Sequence, residues 1–235
     1  MNVHEVMKEL ESYASESTRK TFLRHGAPEN IFGVKVQDLK KIVKKVKKDH
    51  DLSLALFDTK NGDAMYLAGL IADENKITKT QLKKWAKLSN WQMISEYTVP
   101  WVASESDHGF DLAMEWIDSN KESIASTGWS TLASIVTVQP DENIDKKVYK
   151  QLLHRAKEEM DNAPNRVKYT MNNFVIAVAS YVESLSQTAI DIADEIGKVK
   201  VDMGDTACKV PLASAYIKKA LDRGGIRKKR KTARC

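Results

Sequence analysis

Apolar residues recur at intervals of three and four positions along almost the whole chain, which is the spacing of helices with one buried face. Residues 36–48 show it clearly, with four apolar residues on one side and lysines on the other: Leu39, Ile42, Val43 and Val46. The same spacing predicts further helices at 3–14, 16–24, 51–58, 62–72, 79–88, 108–119, 122–138, 144–160, 165–183, 185–196 and 211–222. Strand-like alternation occurs only in "KVKVDM" at 198–203, which is short enough to be an extended connection.

The predicted helices are short and are joined by short polar connections such as "HGAPEN", "TKNGD" and "QPDEN". About a dozen helices without a long linker predict an all-α fold, a right-handed α-solenoid of antiparallel HEAT- or armadillo-like helix pairs with a concave face. No clean repeat of fixed period is present, so a compact irregular helical bundle is the alternative. We expect one domain over residues 1–226 and a flexible basic tail at 227–235.

Positive charge is concentrated in two places, although the net charge is only +5. Residues 227–234, "RKKRKTAR", carry six positive charges and no negative one, and residues 35–50 hold seven lysines against two aspartates. This pattern favours an anionic partner such as double-stranded DNA, whereas a solvated helix face and a disordered solubility tail are the alternative. The candidate phosphate-binding residues are Lys44, Lys45, Lys48, Arg227, Lys228, Lys229 and Arg230.

Several other classes of protein are disfavoured by composition. The five histidines are scattered and there is no Cys-x-x-Cys motif, so we predict neither a metal site nor a cofactor. Two cysteines, no secretory signal and no apolar run of about 18 residues predict a cytoplasmic protein that does not enter a membrane. We expect a monomer, and we interpret Cys208 as a buried structural thiol rather than a nucleophile.

All five tryptophans lie between residues 85 and 129. Trp85 and Trp116 are flanked by an amphipathic helical pattern and are predicted to be core residues. Trp91 and Trp129 follow "SN" and "TG", which we interpret as signals of helix starts, where a side chain more often meets a groove. The sequence therefore predicts that Trp91 and Trp129 line a binding surface.

The predicted helix 165–183 carries polar side chains beside its buried stripe. Five of them could hold a phosphate backbone or reach base edges: Arg166, Lys168, Tyr169, Asn172 and Asn173. Lys168 with Asn172, and Tyr169 with Asn173, are four residues apart and project side by side. The alternative is that the two asparagines form hydrogen bonds to the neighbouring helix.

Three stretches of the chain resemble the DNA alkylation repair family, the AlkD-like proteins. They are "TRKTFLRHGAPENIFGVKVQDLKKIVKKVKKDH", "LSNWQMISEYTVP", and "RVKYTMNNFVIAVASYVESL" followed by "IGKVKVDMGDTACKVPLASAYIKKA". The last stretch is the most specific match. The resemblance implies a fold of HEAT-like helical repeats, in agreement with the helical pattern.

The resemblance also implies a DNA glycosylase that releases N3- or N7-alkylated purines. In that family an Asp four residues after a Trp stabilises the cationic sugar of the transition state. Trp91 matches the tryptophan, but Ser95 occupies the position of the aspartate, and Glu96 is the nearest carboxylate. Leu132 stands where the family has an arginine, and Asn172 where it has a further tryptophan. Glu96 is thus the candidate catalytic residue, and a non-catalytic module for distorted DNA, or for another anionic or protein partner, is the alternative.

Overall fold

The computed structural model describes residues 1–235, and it confirms the predicted all-α fold. Thirteen α-helices follow one another: α1 Val3–Ser12, α2 Glu16–Arg24, α3 Val36–Val46, α4 His50–Asp58, α5 Gly62–Ile71, α6 Lys79–Leu88, α7 Val99–Glu105, α8 Gly109–Trp116, α9 Glu122–Val138, α10 Lys146–Glu159, α11 Asn165–Tyr181, α12 Glu183–Ile196 and α13 Ala213–Leu221. A π-helical turn, Ile94–Thr98, leads directly into α7, and a short 3₁₀ turn, Asp141–Asn143, precedes α10.

Side-chain caps begin many of these helices. Asn2 and Thr78 form capping boxes with Glu5 and Gln81, in which each side chain binds the backbone N–H of the other residue. Asp49 caps α4 with a single bond, in which its side chain accepts from the Leu52 N–H. Because these residues satisfy N–H groups that a helix leaves unpaired, short helices can start close to one another.

From α4 onward the helices form two layers. The inner row consists of α5, the π-helical turn with α7, α9, α11 and α13, and each of these packs on its neighbours in the row. The outer helices α4, α8 and α12 pack on α5, α9 and α11, respectively. Arg166 of α11 reaches Glu96 of the π-helical turn even though α9 packs between their helices, so the inner row is curved and its exposed side is concave.

The buried residues form two clusters along this solenoid. One has 30 members and contains the N-terminal helices as far as α8, and the other has 28 members and runs from α8 to α13. Leu112 and Ala113, adjacent residues of α8, belong to different clusters, and α8 packs on the long helix α9. Trp85 and Trp116 are buried as predicted, and Trp85 stacks on Phe57 with ring centroids 4.2 Å apart.

The sequence pattern did not predict the helical stretch 94–105. A π-helical turn adds one residue to the turn, which interrupts the spacing of three and four on which the pattern depends. Pro100, which reads as a helix boundary, lies in the first turn of α7, where a proline is tolerated. The π-helical turn lies so close to α5 that a Cβ atom on Gly69 would collide with the Thr98 side chain. Gly69 therefore allows the approach that places Ser95 and Glu96.

The predicted flexible tail is instead found packed against the solenoid. Arg227 and Arg230 donate backbone N–H bonds to the carbonyls of Ser180 and Thr137, and Ala233 is 2% exposed. Segment 198–203 forms no strand and is part of the extended connection between α12 and α13. No helix has the length and hydropathy needed to cross a membrane.

Candidate functional site

Trp91 forms a wall between two cavities on the inner side of the solenoid. Its ring packs on Phe22 with centroids 5.2 Å apart, and its Nε1–H donates to the carbonyl of His25 at 3.0 Å. One cavity, of about 440 Å³, lies on the side of α2 and α5; the other, of about 300 Å³, lies on the side of α9. Arg166 lines both cavities together with Trp91. Trp91 is 7% exposed and lines both cavities, and its part in binding stays a prediction.

Ser95 is buried beside Trp91. Its side chain is held by its own helix, because its hydroxyl donates to the carbonyl of Trp91 at 3.4 Å, and the residue is 4% exposed. A hydroxyl carries no charge, so Ser95 cannot oppose a developing positive charge as a carboxylate would. The position at which the resembled family has its aspartate is therefore electrostatically neutral in this chain.

Glu96 is buried and fully paired with Arg166. The guanidinium donates from Nε to Oε1 at 2.7 Å and from Nη2 to Oε2 at 2.6 Å, a bidentate geometry, and the Glu96 side chain is only 2% exposed. Burial raises the pKa of the Glu96 carboxyl, and the Arg166 hydrogen bonds oppose that rise. With both of its oxygens held by Arg166, Glu96 is a structural ion-pair partner in this conformation.

Arg166 is held by three further contacts. Its backbone N–H donates to Oε1 of Glu122 at 2.7 Å, which places a negative charge at the N-terminus of α11. Its guanidinium lies 4.4 Å from the ring centroid of Tyr169, and its Nη1 is 3.7 Å from Sδ of Met203. Arg166 and Tyr169 are therefore brought together with Glu96, which the sequence could not show.

The other candidates on α11 separate into different environments. Asn172 is buried and its Nδ2 donates to the carbonyl of Pro211 at 3.0 Å, so it bonds to the connection before α13 rather than to a neighbouring helix. Lys168 donates to the carbonyl of Asp161 at 2.8 Å. Asn173 lines a small cavity on the inner row with Tyr97 of the π-helical turn and Arg230. Of these residues, Tyr169 and Asn173 lie on the concave side.

Trp129 does not line a groove, contrary to the prediction. It is fully buried in the middle of α9, where it packs edge to face on Phe174 with centroids 5.1 Å apart. The preceding "TG" does not start a helix, because α9 begins at Glu122. Gly128 is there because α9 passes close to Ile117, leaving no room for a Cβ atom. Trp129 is therefore a core residue.

The lysines of α3 and of the residues just after it are exposed but are partly neutralised. Lys45 pairs with Glu9 at 2.6 Å and Lys48 with Glu74 at 2.5 Å, whereas Lys44 has no carboxylate partner. A charge that already has a partner contributes less to the attraction of an anion than a free one. The structure therefore weakens the case for α3 as the main anion-binding surface.

The C-terminal segment 227–235 crosses the C-terminal ends of four inner helices. It bonds to Ser180 of α11 and Thr137 of α9, then reaches Glu105 of α7 and the carbonyl of Ala72 at the end of α5. Helix C-termini carry partial negative charge and attract cations. Lys229 and Arg234 serve as anchors: Lys229 pairs with Asp141 at 2.7 Å and Arg234 pairs with Glu74 at 2.8 Å.

The remaining cations of this segment form no ion pair with a carboxylate. Four of them are exposed: Arg227, Lys228, Arg230 and Lys231. Arg230 and Ala233 share a cavity with Ser134 and Asn173, which places the segment along the concave face. Part of the charge that was predicted to be on a flexible tail is thus held at the inner surface, because Lys229 and Arg234 anchor the segment on either side of Arg230 and Lys231.

The larger cavity contains residues that sequence reasoning did not assign to a site. It is lined by aromatic side chains of α2, α5, the π-helical turn and α11, and is bordered by segment 197–212 through Met203, Cys208 and Lys209. Cys208 is exposed rather than buried, which corrects the interpretation of a structural thiol. No three His, Cys, Asp or Glu side chains lie close enough together to hold a metal ion. We name the larger of the two cavities the aromatic cavity.

Comparisons with known proteins bear on this geometry. A family model described as DNA alkylation repair enzyme matches residues 6–208. Uncharacterized proteins of Listeria monocytogenes and Listeria innocua are each 35% identical over 221 residues, which cover 92% of this chain and 95% of theirs. A solved structure with 36% identity, a TM-score of 0.93 and full coverage of both chains is described as "a new family of proteins related to the HEAT-like repeat DNA glycosylases with affinity for branched DNA structures".

Proposed function

Because the chain belongs to the DNA alkylation repair enzyme family, we propose that it binds DNA, and branched DNA in particular, on its concave face. The observation that carries this proposal is the docked C-terminal segment, which has four exposed cations and places one of them, Arg230, in a cavity of that face. Phosphate contacts by Lys and Arg supply most of the affinity of DNA-binding proteins and do not depend on base sequence. The similar solved structure, with its described affinity for branched DNA, supports the same partner.

A curved face suits a branched duplex better than a straight one. Two helical arms that diverge from a junction can contact separate parts of a concave surface, whereas a linear duplex meets it along one line. On the inner row, Tyr169 and Asn173 offer an aromatic face and an amide between the basic segment and the π-helical turn. Such groups position a nucleic acid without selecting its sequence.

We expect binding of a four-way DNA junction to weaken steeply as salt is added. Because each cation that meets a phosphate releases a counterion, log K should fall linearly with log salt, with a slope of about −0.9 per phosphate contacted. Fluorescence anisotropy with a junction and with a linear duplex of equal length, from low to moderate salt, measures this. Affinity that stays constant over that range, or equal affinity for both DNAs, would contradict the proposal.

Glu96 is poorly placed to assist base excision. Arg166 holds both of its oxygens, and Ser95 offers no charge to the sugar of a departing base. Loss of one preorganised electrostatic partner typically costs a factor of about 10² to 10³ in rate. DNA recognition without efficient glycosylase chemistry is therefore the function that the site supports best.

The assignment of Glu96 and Ser95 leads to a prediction about the release of alkylated bases. With DNA that carries N7-methylguanine or N3-methyladenine, we expect the native protein and Glu96→Gln to release base at the rate of the protein-free control. Chromatography of the released bases measures this, with circular dichroism to check that the variant is folded. Ser95→Asp supplies a carboxylate at the family position and serves as the comparison. Release by the native protein that Glu96→Gln abolishes would make Glu96 catalytic and would refute this assignment.

A further inference from the structure

The aromatic cavity has the dimensions and the lining of a binding site. Its volume of about 440 Å³ lies within the range of about 300 to 1,000 Å³ that is usual for small-molecule pockets. Phe22, Tyr97 and Tyr169 are half-buried, so part of each ring faces the open space. The residues that line this cavity include neither Ser95 nor any residue of the C-terminal segment, so the proposed function does not yet assign it a role.

Several polar groups converge on the same space. His25, Gln92 and Arg166 line it, and the Asp63 carboxylate at its edge is already held by the backbone N–H groups of Phe32, Gly33 and Val34 at 2.7 to 3.0 Å. Arg166 is paired with Glu96 and the Asp63 carboxylate is held by backbone N–H groups, so neither group is left without a partner, whereas Lys209 at the rim is exposed and positive. Aromatic faces with a few hydrogen-bonding groups suit a flat heteroaromatic ring, and a cation at the rim suits a phosphate attached to it.

Segment 197–212 completes the cavity and is tied down at both ends. Asn165 exchanges two hydrogen bonds with Asp202, at 2.8 and 2.7 Å, and Asn172 binds the carbonyl of Pro211. Between these anchors Met203, Cys208 and Lys209 border the space, and Gly204 lies near the carbonyl of Arg24 in α2. The buried Asn172 is thus a positioning residue for the segment that covers the cavity.

We propose that the aromatic cavity receives one unpaired nucleotide at the branch point of bound DNA, with its base among Phe22, Tyr97 and Tyr169 and its phosphate at Lys209. This inference rests on the proposed function and extends it to the feature by which branched DNA is selected. Removing a base from a duplex costs a few kcal/mol, whereas an unpaired base at a branch is available at little cost. A pocket for one such base therefore discriminates branched from linear DNA without reading its sequence.

The test compares two junctions that differ in one base. Both carry one extra nucleotide at the branch point, which is a normal nucleotide in one DNA and an abasic residue in the other, so charge and backbone are matched. We expect the native protein to bind the base-containing junction about tenfold more tightly, since one stacked base contributes about that factor or more. Tyr169→Leu should remove this preference. The control Phe110→Leu, at an aromatic residue outside the cavity, should retain it.

Cys208 supplies an independent readout. In Cys235→Ser, Cys208 is the only thiol, and its alkylation by a maleimide should be slowed more by the base-containing junction than by the abasic one. Equal affinity for both junctions together with equal protection of Cys208 would overturn the cavity assignment and leave DNA binding standing. Failure to bind either junction would instead refute the proposed function, and the cavity assignment with it. Protection by a free deoxynucleoside monophosphate at the same concentration would overturn the assignment to DNA.

Discussion

Replacing Arg166 with methionine is expected to lower the free energy of unfolding by about 3 to 5 kcal/mol at neutral pH, because it leaves a buried carboxylate without a partner. Glu96 is 2% exposed at its side chain and has Arg166 as its only ion-pair partner. Urea denaturation of the native protein and the variant measures this loss. A change below about 1 kcal/mol, the range of exposed pairs, would show that Glu96 is not confined as described.

The loss of stability in Arg166→Met should depend on pH in a defined direction. Burial raises the pKa of Glu96, and without Arg166 nothing opposes that rise. In the folded variant the carboxyl therefore keeps its proton at pH values at which the unfolded chain has lost it, so stability falls as pH rises through this window. We expect the difference in the free energy of unfolding between the Arg166→Met variant and the native protein to be smaller at pH 5 than at pH 8. A difference that is constant over this range would contradict the assignment.

Two controls separate the ion pair from other effects. The double variant Glu96→Gln with Arg166→Met removes both charges, so it should be more stable than Arg166→Met alone. Lys84→Met removes one partner of the exposed pair that Lys84 forms with Asp58 at 2.7 Å, and should change stability by no more than about 1 kcal/mol. If the double variant is no more stable than the single one, loss of packing rather than an unpaired charge is the cause.

Neutralising three exposed cations of the C-terminal segment, in Lys228→Gln/Arg230→Gln/Lys231→Gln, should weaken DNA binding at 0.1 M salt by about two orders of magnitude. The slope of log K against log salt should become shallower by about 3, since each phosphate contact contributes about 0.9. The anchors Lys229 and Arg234 remain, so the segment should stay docked. Anisotropy titrations at several salt concentrations measure both quantities. The effect should be the same for junctions of different sequence, because phosphate contacts carry no sequence information.

The matched control for this variant lies on the outer layer. Lys146→Gln/Lys147→Gln/Lys150→Gln removes the same charge from exposed positions on α10, which packs on α12. If the concave face binds DNA, this control should retain most of the salt slope. Equal losses in both triple variants would show that net charge rather than the docked segment determines binding, and that outcome would contradict the proposed face.

Much of the fold could be predicted from local pattern, and the exceptions have local causes. The spacing of apolar residues predicted twelve of the thirteen α-helices, because each turn of a helix with one buried face places an apolar residue on that face. The stretch 94–105 was missed because a π-helical turn breaks that spacing and Pro100 follows it. Trp129 was wrongly placed at a groove because "TG" was interpreted as a helix start within a helix.

The candidate site was less predictable, because its contacts join distant parts of the chain. Glu96 and Arg166 are 70 residues apart, and nothing near either residue indicates that they pair. The aromatic cavity combines α2, α5, the π-helical turn, α11 and segment 197–212, which meet only because the inner row is curved. Cys208 was interpreted as buried because free cysteines usually are, whereas the extended connection that contains it leaves it exposed.

For this protein the sequence alone determined the helical class, the two basic segments and the presence of Ser95, not a carboxylate, four residues after Trp91, since each of these is a property of residue type or of short-range spacing. Tertiary structure decided that Arg166 holds Glu96 and that residues 227–235 lie on the concave face. It also decided that, of two buried tryptophans, Trp91 lines a cavity and Trp129 packs inside the core. These outcomes depend on how helices that are far apart in the chain pack against one another. A local sequence pattern contains no information about such contacts.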